Sequence, residues 1–245
     1  MLPPPLVLLH GFTQTRQSWR RTANELAGRY RAITPDLPGH GQSALKTASF
    51  DACAAYVRAL GAKTLVGYSM GGRIPLYTAL NTPGIERLVL LGASPGIENE
   101  QERKRRREQD DKLADRIEAI GTEAFAREWA EQPLFADQPE RVSNGAYADR
   151  LRNTPHGLAS ALRGLGTGVM PPLWDQLEAL TIPVTLITGE RDEKFHALAE
   201  AMRQRLPNAT HVVIPDAGHA AQLEHPDRVA QAIYQSGSPS SSASA

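Results

Sequence analysis

The chain carries a single cysteine, Cys53, in 245 residues, so it can form neither an internal disulfide nor a cysteine-based metal cluster. It also lacks net charge. Its 27 lysines and arginines balance 27 aspartates and glutamates, which removes any bulk electrostatic pull toward nucleic acid or an anionic membrane. Long hydrophobic runs are missing as well: no stretch approaches the roughly 18 apolar residues that a membrane-spanning helix requires. The opening MLPPPLVLLHGF has a short apolar run, but it has no basic start and is broken off by His10 and Gly11. It therefore reads as a strand and not as a secretory leader. Together these absences predict a cytoplasmic protein with no nucleic-acid and no membrane partner.

What is present suits an ordinary globular domain. With 41% hydrophobic and 22% charged residues the chain can bury one core, and a small insertion can stand beside it. Short β-rich apolar runs recur at Leu6 to His10, Tyr30 to Pro35, Thr64 to Ser69, Arg87 to Leu91, Pro183 to Thr188 and Thr210 to Ile214. Between them lie helical patterns at Ser18 to Leu26, Phe50 to Leu60, Gly71 to Leu80, Phe195 to Leu206 and Pro226 to Tyr234. Strands alternating with helices predict an α/β protein with a doubly wound, mostly parallel sheet covered on both faces.

From about Glu98 to Trp174 no strand interrupts the helical pattern, and that span is too long for a loop in a compact domain. It reads as a helical cap over the C-terminal edge of the sheet, where open α/β sheets bind their ligands. The expected organisation is a core of residues 1–97 and 175–235, a cap of residues 98–174, and a flexible tail of residues 236–245 whose small polar residues cannot offset the entropy of ordering. Cys53, Trp19 and Trp174 read as packing residues.

The local chemistry centres on Val66-Gly67-Tyr68-Ser69-Met70-Gly71-Gly72, an apolar strand that runs through G-x-S-x-G into a helix. The glycines leave room for a sharp strand-to-helix turn that presents the Ser69 hydroxyl at a helix N-terminus. Upstream, His10-Gly11-Phe12 ends the first strand, and the backbone N–H groups of Phe12 and Met70 are the candidate oxyanion-hole donors. His10 reads as a brace for this loop, with Asp36 and His40 of the DLPGHG turn as further structural residues.

A serine hydroxyl needs a base and an orienting carboxylate, expected here in the order serine, acid, histidine. Gly189-Glu190-Arg191-Asp192 follows the Val184 to Thr188 strand, and Ala217-Gly218-His219 follows the next. Asp192 is preferred over Glu190 and Asp216, and His219 over His225, because of their glycine-led positions directly after strands. Two readings remain open at this point: an enzyme using Ser69, His219 and Asp192, or a non-catalytic binding protein of the same architecture.

With the elbow, HGF, DLPGHG, GERD and AGH in order, the chain resembles the α/β-hydrolase superfamily over nearly its full length. GYSMGGR, ASPGI, an arginine-rich helix, FAREWAEQPLFA and GERDEKF narrow the match, so that it resembles the 2-succinyl-6-hydroxy-2,4-cyclohexadiene-1-carboxylate synthases of menaquinone and phylloquinone biosynthesis. The resemblance implies an α/β-hydrolase fold and elimination of pyruvate from an enolpyruvyl adduct, with the triad as base and no metal or organic cofactor. The nearest rival is a carboxylesterase or C–C bond hydrolase. The implied partner is a small polycarboxylate substrate, on a monomer or weak homo-oligomer.

Such a substrate calls for arginines, whose planar fork matches a carboxylate at two points. Arg73 lies about one helical turn past Ser69 and can face the site. The run Arg103 to Arg107 sits among acidic residues, with i to i+4 pairs such as Glu102 to Arg106 expected on a solvated face. The resemblance places Arg106 and Arg152 as the cap arginines that meet substrate, with Arg105, Arg107, Arg150 and Arg163 competing within a helical turn. Trp129 either walls the pocket or packs. Tyr68 either donates a hydrogen bond to substrate or packs.

Overall fold

A computed structural model describes residues 2–235; the expected tail lies outside the described residues. Six strands form one sheet: β1 (Pro5–Leu9), β2 (Arg31–Ile33), β3 (Thr64–Tyr68), β4 (Arg87–Leu91), β5 (Val184–Gly189) and β6 (Ala209–Ile214). Their order is β2-β1-β3-β4-β5-β6, and every neighbouring pair is parallel. Each expected strand appears within a few residues of its predicted limits. The parallel order follows from composition. Leu6 to Leu9 of β1 are all apolar and all buried, so both faces need cover, which only helical crossovers supply.

The two-residue period of the strands divides that burial between two cores. Val7 and Leu9 point to the face covered by α2 (Phe50–Ala59), α3 (Met70–Asn81) and α7 (Glu193–Arg205), where they meet Val57, Ile74 and Met202. Leu6 and Leu8 point the other way, to Trp19, Leu26, Val229 and Ile233 beside α1 (Arg20–Glu25) and α9 (Pro226–Gln235). Cys53 is fully buried in the first of these cores, and burial pushes its thiol up to about 12, so it packs as a small apolar side chain. Trp19 and Trp174 are likewise buried in the two cores.

Between β4 and β5 the described residues contain α4 (Glu100–Ala130), a 3-10 turn (Pro133–Phe135), α5 (Glu140–Arg150) and α6 (Pro155–Leu165). The length of α4 is deceptive, because Gly121 at φ 81° and ψ 168° breaks it into two helices. These helices have a small core of their own in Ala114, Ile117, Phe125, Leu158 and Leu162, with Phe12 from the β1 loop packed against it. The Thr154 hydroxyl caps α6 by accepting from the Gly157 N–H, and Pro155 fills the first turn.

The end of α5 is tied to the sheet by polar groups. Asp149 accepts from the Thr15 N–H at 2.9 Å and the Thr15 hydroxyl at 2.5 Å. Asn153 donates to the Thr13 carbonyl at 2.7 Å and accepts from the Gly41 N–H at 3.0 Å. The expected Glu102 to Arg106 pair does not form: Arg106 Nε donates instead to Asp110 Oδ1 at 2.8 Å. Glu102 faces solvent, whereas Asp110 is buried on the inner side of α4, and Arg106 turns toward it. No helix among the described residues is long and apolar enough to cross a membrane.

Candidate active site

Ser69 sits between β3 and α3 with φ 53° and ψ −116°, a strained conformation for a non-glycine residue, held by a hydrogen bond from its N–H to the Leu91 carbonyl at 2.8 Å. The turn is tight enough that glycine is obligatory on both sides. A Cβ on Gly67 would lie 2.2 Å from the Gly71 carbonyl, and one on Gly71 would lie 2.2 Å from the His10 carbonyl. Sequence thus dictates geometry here: with no side chain at either position the backbone closes, and the Ser69 hydroxyl is thrust outward.

The structure brings the distant acid and histidine to this hydroxyl. His219 Nε2 lies 3.1 Å from Ser69 Oγ, and His219 Nδ1 lies 2.7 Å from Asp192 Oδ2. Because a carboxylate only accepts, Nδ1 carries the donated hydrogen, and Nε2 is left with the lone pair that accepts from the serine. His219 and Asp192 are both almost wholly buried, so the pair acts in a medium that strengthens it. Phe195 stacks on the imidazole at 4.4 Å between centroids.

The rival residues are occupied elsewhere. Glu190 accepts from the Asp216 N–H, and half-buried His225 meets the Asp216 carbonyl. His10 Nε2 accepts from the Leu37 N–H at 2.9 Å while Nδ1 donates to the Gly11 carbonyl, so this histidine ties the β1 loop to the next loop. Burial lowers its pKa and that of His40, as befits neutral structural rings. Asp36 accepts from the Arg16 and Gln42 N–H groups and fixes the same loops.

Ser69 and His219 open onto a cavity of about 450 Å³ that is also lined by Phe12, Met70, Arg73, Arg106 and Trp129. The Phe12 N–H has no acceptor among the described residues, and the Met70 N–H lies in the first turn of α3, where no carbonyl four residues back can take it. Trp129 packs on Phe12 at 5.3 Å, and its buried indole N–H has no partner. Arg73 is 8% exposed; its Nη1 donates to the Thr167 hydroxyl at 2.8 Å, and among the described residues no carboxylate pairs with it. Burial brings its pKa down to about 10, with the charge of Arg106 pushing the same way and Asp110 opposing.

Two expected substrate contacts are corrected by the structure. Arg152 does not reach this cavity: its side chain is 60% exposed, lies 3.7 Å from Asp149, and lines a separate surface groove with Gln14 and Arg141. Arg150 turns inward instead. It is 4% exposed, stacks over Phe135 at 5.5 Å, and leaves Nε and Nη1 without partners. Two positions apart at a helix end, side chains point to nearly opposite sides, which is why position in the sequence alone misassigned them. Tyr68 is not a cavity-lining residue either. The strand alternation sends its ring beneath Gly11 and 5.1 Å from His219, and burial raises its phenol well above the usual range.

Lys194, Thr167 and Gln109 line the cavity without having been singled out from the sequence. Only Lys194 left a trace there, inside the GERDEKF motif. No group of three or more candidate metal ligands occurs among the described residues.

A serine joined by hydrogen bonds to a buried histidine and aspartate at the C-terminal edge of a doubly wound sheet defines a class, and the chain belongs to the alpha/beta hydrolase family, whose profile matches residues 6–232. Several relatives sharpen this. The chain is 36% identical over 242 residues to 2-succinyl-6-hydroxy-2,4-cyclohexadiene-1-carboxylate synthase of Salmonella typhimurium, covering 95% of this chain and 93% of that one. It superposes on the solved structure of MenH from S. aureus with a TM-score of 0.91 at 35% identity, over 96% and 94% of the two chains. A thermophilic esterase from Thermogutta terrifontis matches with a TM-score of 0.80 at 29% identity, over 95% of this chain and 88% of the esterase. Within the hydrolase family, the chain belongs to the 2-succinyl-6-hydroxy-2,4-cyclohexadiene-1-carboxylate synthases.

Proposed function

We propose that the chain eliminates pyruvate from 2-succinyl-5-enolpyruvyl-6-hydroxy-3-cyclohexene-1-carboxylate, giving 2-succinyl-6-hydroxy-2,4-cyclohexadiene-1-carboxylate. The observation that carries this reading beyond the fold is Arg73: a buried guanidinium beside Ser69 with no carboxylate partner of its own. An uncompensated buried charge is costly, and a site built around one is a site for an anionic ligand. A simple ester hydrolase has no use for it.

The substrate proton at ring carbon 2 is flanked by the succinyl ketone and the ring double bond, so its removal is the easiest deprotonation the molecule offers. Ser69, its own proton drawn to His219, takes that proton. Asp192 holds the imidazole in the tautomer this needs and stabilises it once charged. Negative charge then develops on the succinyl ketone oxygen, where the Phe12 and Met70 N–H groups receive it. As the electrons shift through the ring, the bond from carbon 5 to the enolpyruvyl oxygen breaks and the ring becomes the 2,4-diene. Arg73 and Arg106 hold substrate carboxylates, and the Trp129 N–H is a further donor.

Pyruvate release by wild type and Ser69→Ala tests this. The variant should lose about a hundredfold or more in kcat, the scale of an essential acid–base group. The esterase likeness keeps one second reading in play, in which Ser69 is a nucleophile. An acyl-enzyme burst with activated esters, together with no pyruvate from the enolpyruvyl compound, would decide for it.

A further inference from the structure

We infer that Lys194 is a specificity-determining residue, the cation that receives the enolpyruvyl carboxylate and steadies it as pyruvate leaves. The inference rests on the pyruvate-eliminating reading above. The substrate has three carboxylates: one on the ring, one ending the succinyl arm and one on the enolpyruvyl group. The cavity around Ser69 is lined by three cations, Arg73, Arg106 and Lys194.

The three cations do not stand together. Arg73 and Arg106 are close enough for the charge of one to depress the pKa of the other, and both lie toward Thr167 and Asp110. Lys194 lies on the histidine side. It follows Asp192 by two residues at the start of α7, and its Nζ is 5.7 Å from the ring of Phe195, which itself stacks on His219 at 4.4 Å. The other basic side chains of this stretch are neutralised, Arg191 by Glu224, Arg203 by Glu200 and Arg205 by Glu98. Among the described residues Lys194 forms no ion pair, although Glu193 is its neighbour.

A second cavity, of about 320 Å³, adjoins the first and shares Pro133, Leu134, Lys194 and His219 with it. Lys194 therefore stands where the two compartments meet. The reaction makes two products from one substrate, and only one of them carries the third carboxylate away. In the breaking step the electron pair of the bond from carbon 5 to oxygen leaves with the enolpyruvyl oxygen, and the released enolate takes a proton at its methylene carbon to become pyruvate. That proton balances the one removed at carbon 2. Lys194 transfers nothing; its fixed positive charge meets the carboxylate and the charge growing on the departing oxygen.

The experiment compares wild type, Lys194→Met and Lys194→Arg for pyruvate release and for inhibition by each product. In Lys194→Met, kcat/KM should fall about thirtyfold or more and the inhibition constant for pyruvate should rise about tenfold, the scale of removing one partner of a charge pair. Inhibition by the cyclohexadiene product, which lacks the third carboxylate, should stay within about twofold, and Lys194→Arg should recover most of the loss. Lys194 is exposed, so the melting temperature should be unchanged in both variants. A Lys194→Met enzyme within twofold of wild type, or one that weakens both products equally, overturns the assignment and leaves the parent reaction standing. A wild-type enzyme that releases no pyruvate removes the parent reaction and this inference with it.

Discussion

The two sides of the cavity are built by different means. The sheet side holds Ser69, Asp192 and His219 at the ends of strands, the acid and the histidine buried and the three joined by hydrogen bonds of 2.7 and 3.1 Å, around a turn that only glycine permits. The helical side contributes Arg106 at 41% side-chain exposure, the half-buried indole of Trp129 and a 3-10 turn at Pro133–Phe135. Arg73 belongs to the sheet side by sequence, on α3, yet bonds across to Thr167 beyond the last cap helix. The difference teaches where each demand is met. Proton transfer needs fixed short distances, which a sheet supplies. Recognition of a particular substrate needs charge and shape that can vary without disturbing that machinery, and an inserted set of helices supplies those.

The largest effect is therefore expected from disturbing the sheet side without touching a reacting atom. Gly71→Val would drive a side chain into the His10 carbonyl, where even a Cβ falls at 2.2 Å. The elbow must open, which moves Ser69 away from His219 and the β1 loop away from its place. Turnover should drop by about a thousandfold or more, as expected when a small misplacement costs 10² and the oxyanion donors shift as well. Unfolding in urea should show a destabilisation of a few kcal/mol. Near-normal turnover in a correctly folded Gly71→Val protein would mean that the glycine-enforced turn does not set the geometry.

A second experiment crosses between the two sides. Arg73→Met and Arg152→Met remove one arginine each, one buried in the cavity and one exposed outside it. Arg73→Met should cost about a hundredfold in kcat/KM on the polycarboxylate substrate, much less on a small neutral ester, and little or nothing in stability. Replacing an unpaired buried guanidinium with an apolar chain relieves a desolvation cost even as it removes the anchor. Arg152→Met should stay within about twofold on both substrates. For the native enzyme, KM should rise above pH 10, because the depressed pKa of Arg73 means that its charge begins to be lost there. Equal losses in the two variants would erase the distinction between the two arginines.

How far the sequence revealed this arrangement depended on the same division. The strands, the elbow and the three distant residues that meet at Ser69 were legible because each is signalled locally: an apolar strand, a glycine at the turn, then the polar residue. The cap side was legible as helices but not as contacts. Whether Arg150 or Arg152 turns inward, whether Arg106 pairs with Glu102 or Asp110, and that Lys194 reaches the cavity all depend on how helices roll against one another. No periodicity within a single helix records that roll. Tyr68 failed for a related reason. Its neighbour Ser69 is presented by the turn, but Tyr68 is still a strand residue and obeys the strand's alternation.

The smallest expected effect tests the seam between the two sides. Asp149, near the end of α5, accepts two hydrogen bonds from Thr15, four residues after the glycine of the HGF loop and three after Phe12. Removing the carboxylate leaves the Thr15 N–H buried without an acceptor, so Asp149→Ala should cost about 1–3 kcal/mol in urea unfolding. The chemistry itself should suffer less. Asn153 still ties the same loop through the Thr13 carbonyl, and the distances among Ser69, His219 and Asp192 do not run through Thr15. A loss of several-fold in kcat is expected from looser placement of the Phe12 N–H, with Asp149→Asn intermediate because it keeps one acceptor oxygen. If Asp149→Ala is as inactive as Gly71→Val, then the cap helps hold the catalytic geometry, and the division of labour between sheet and helices fails at this seam.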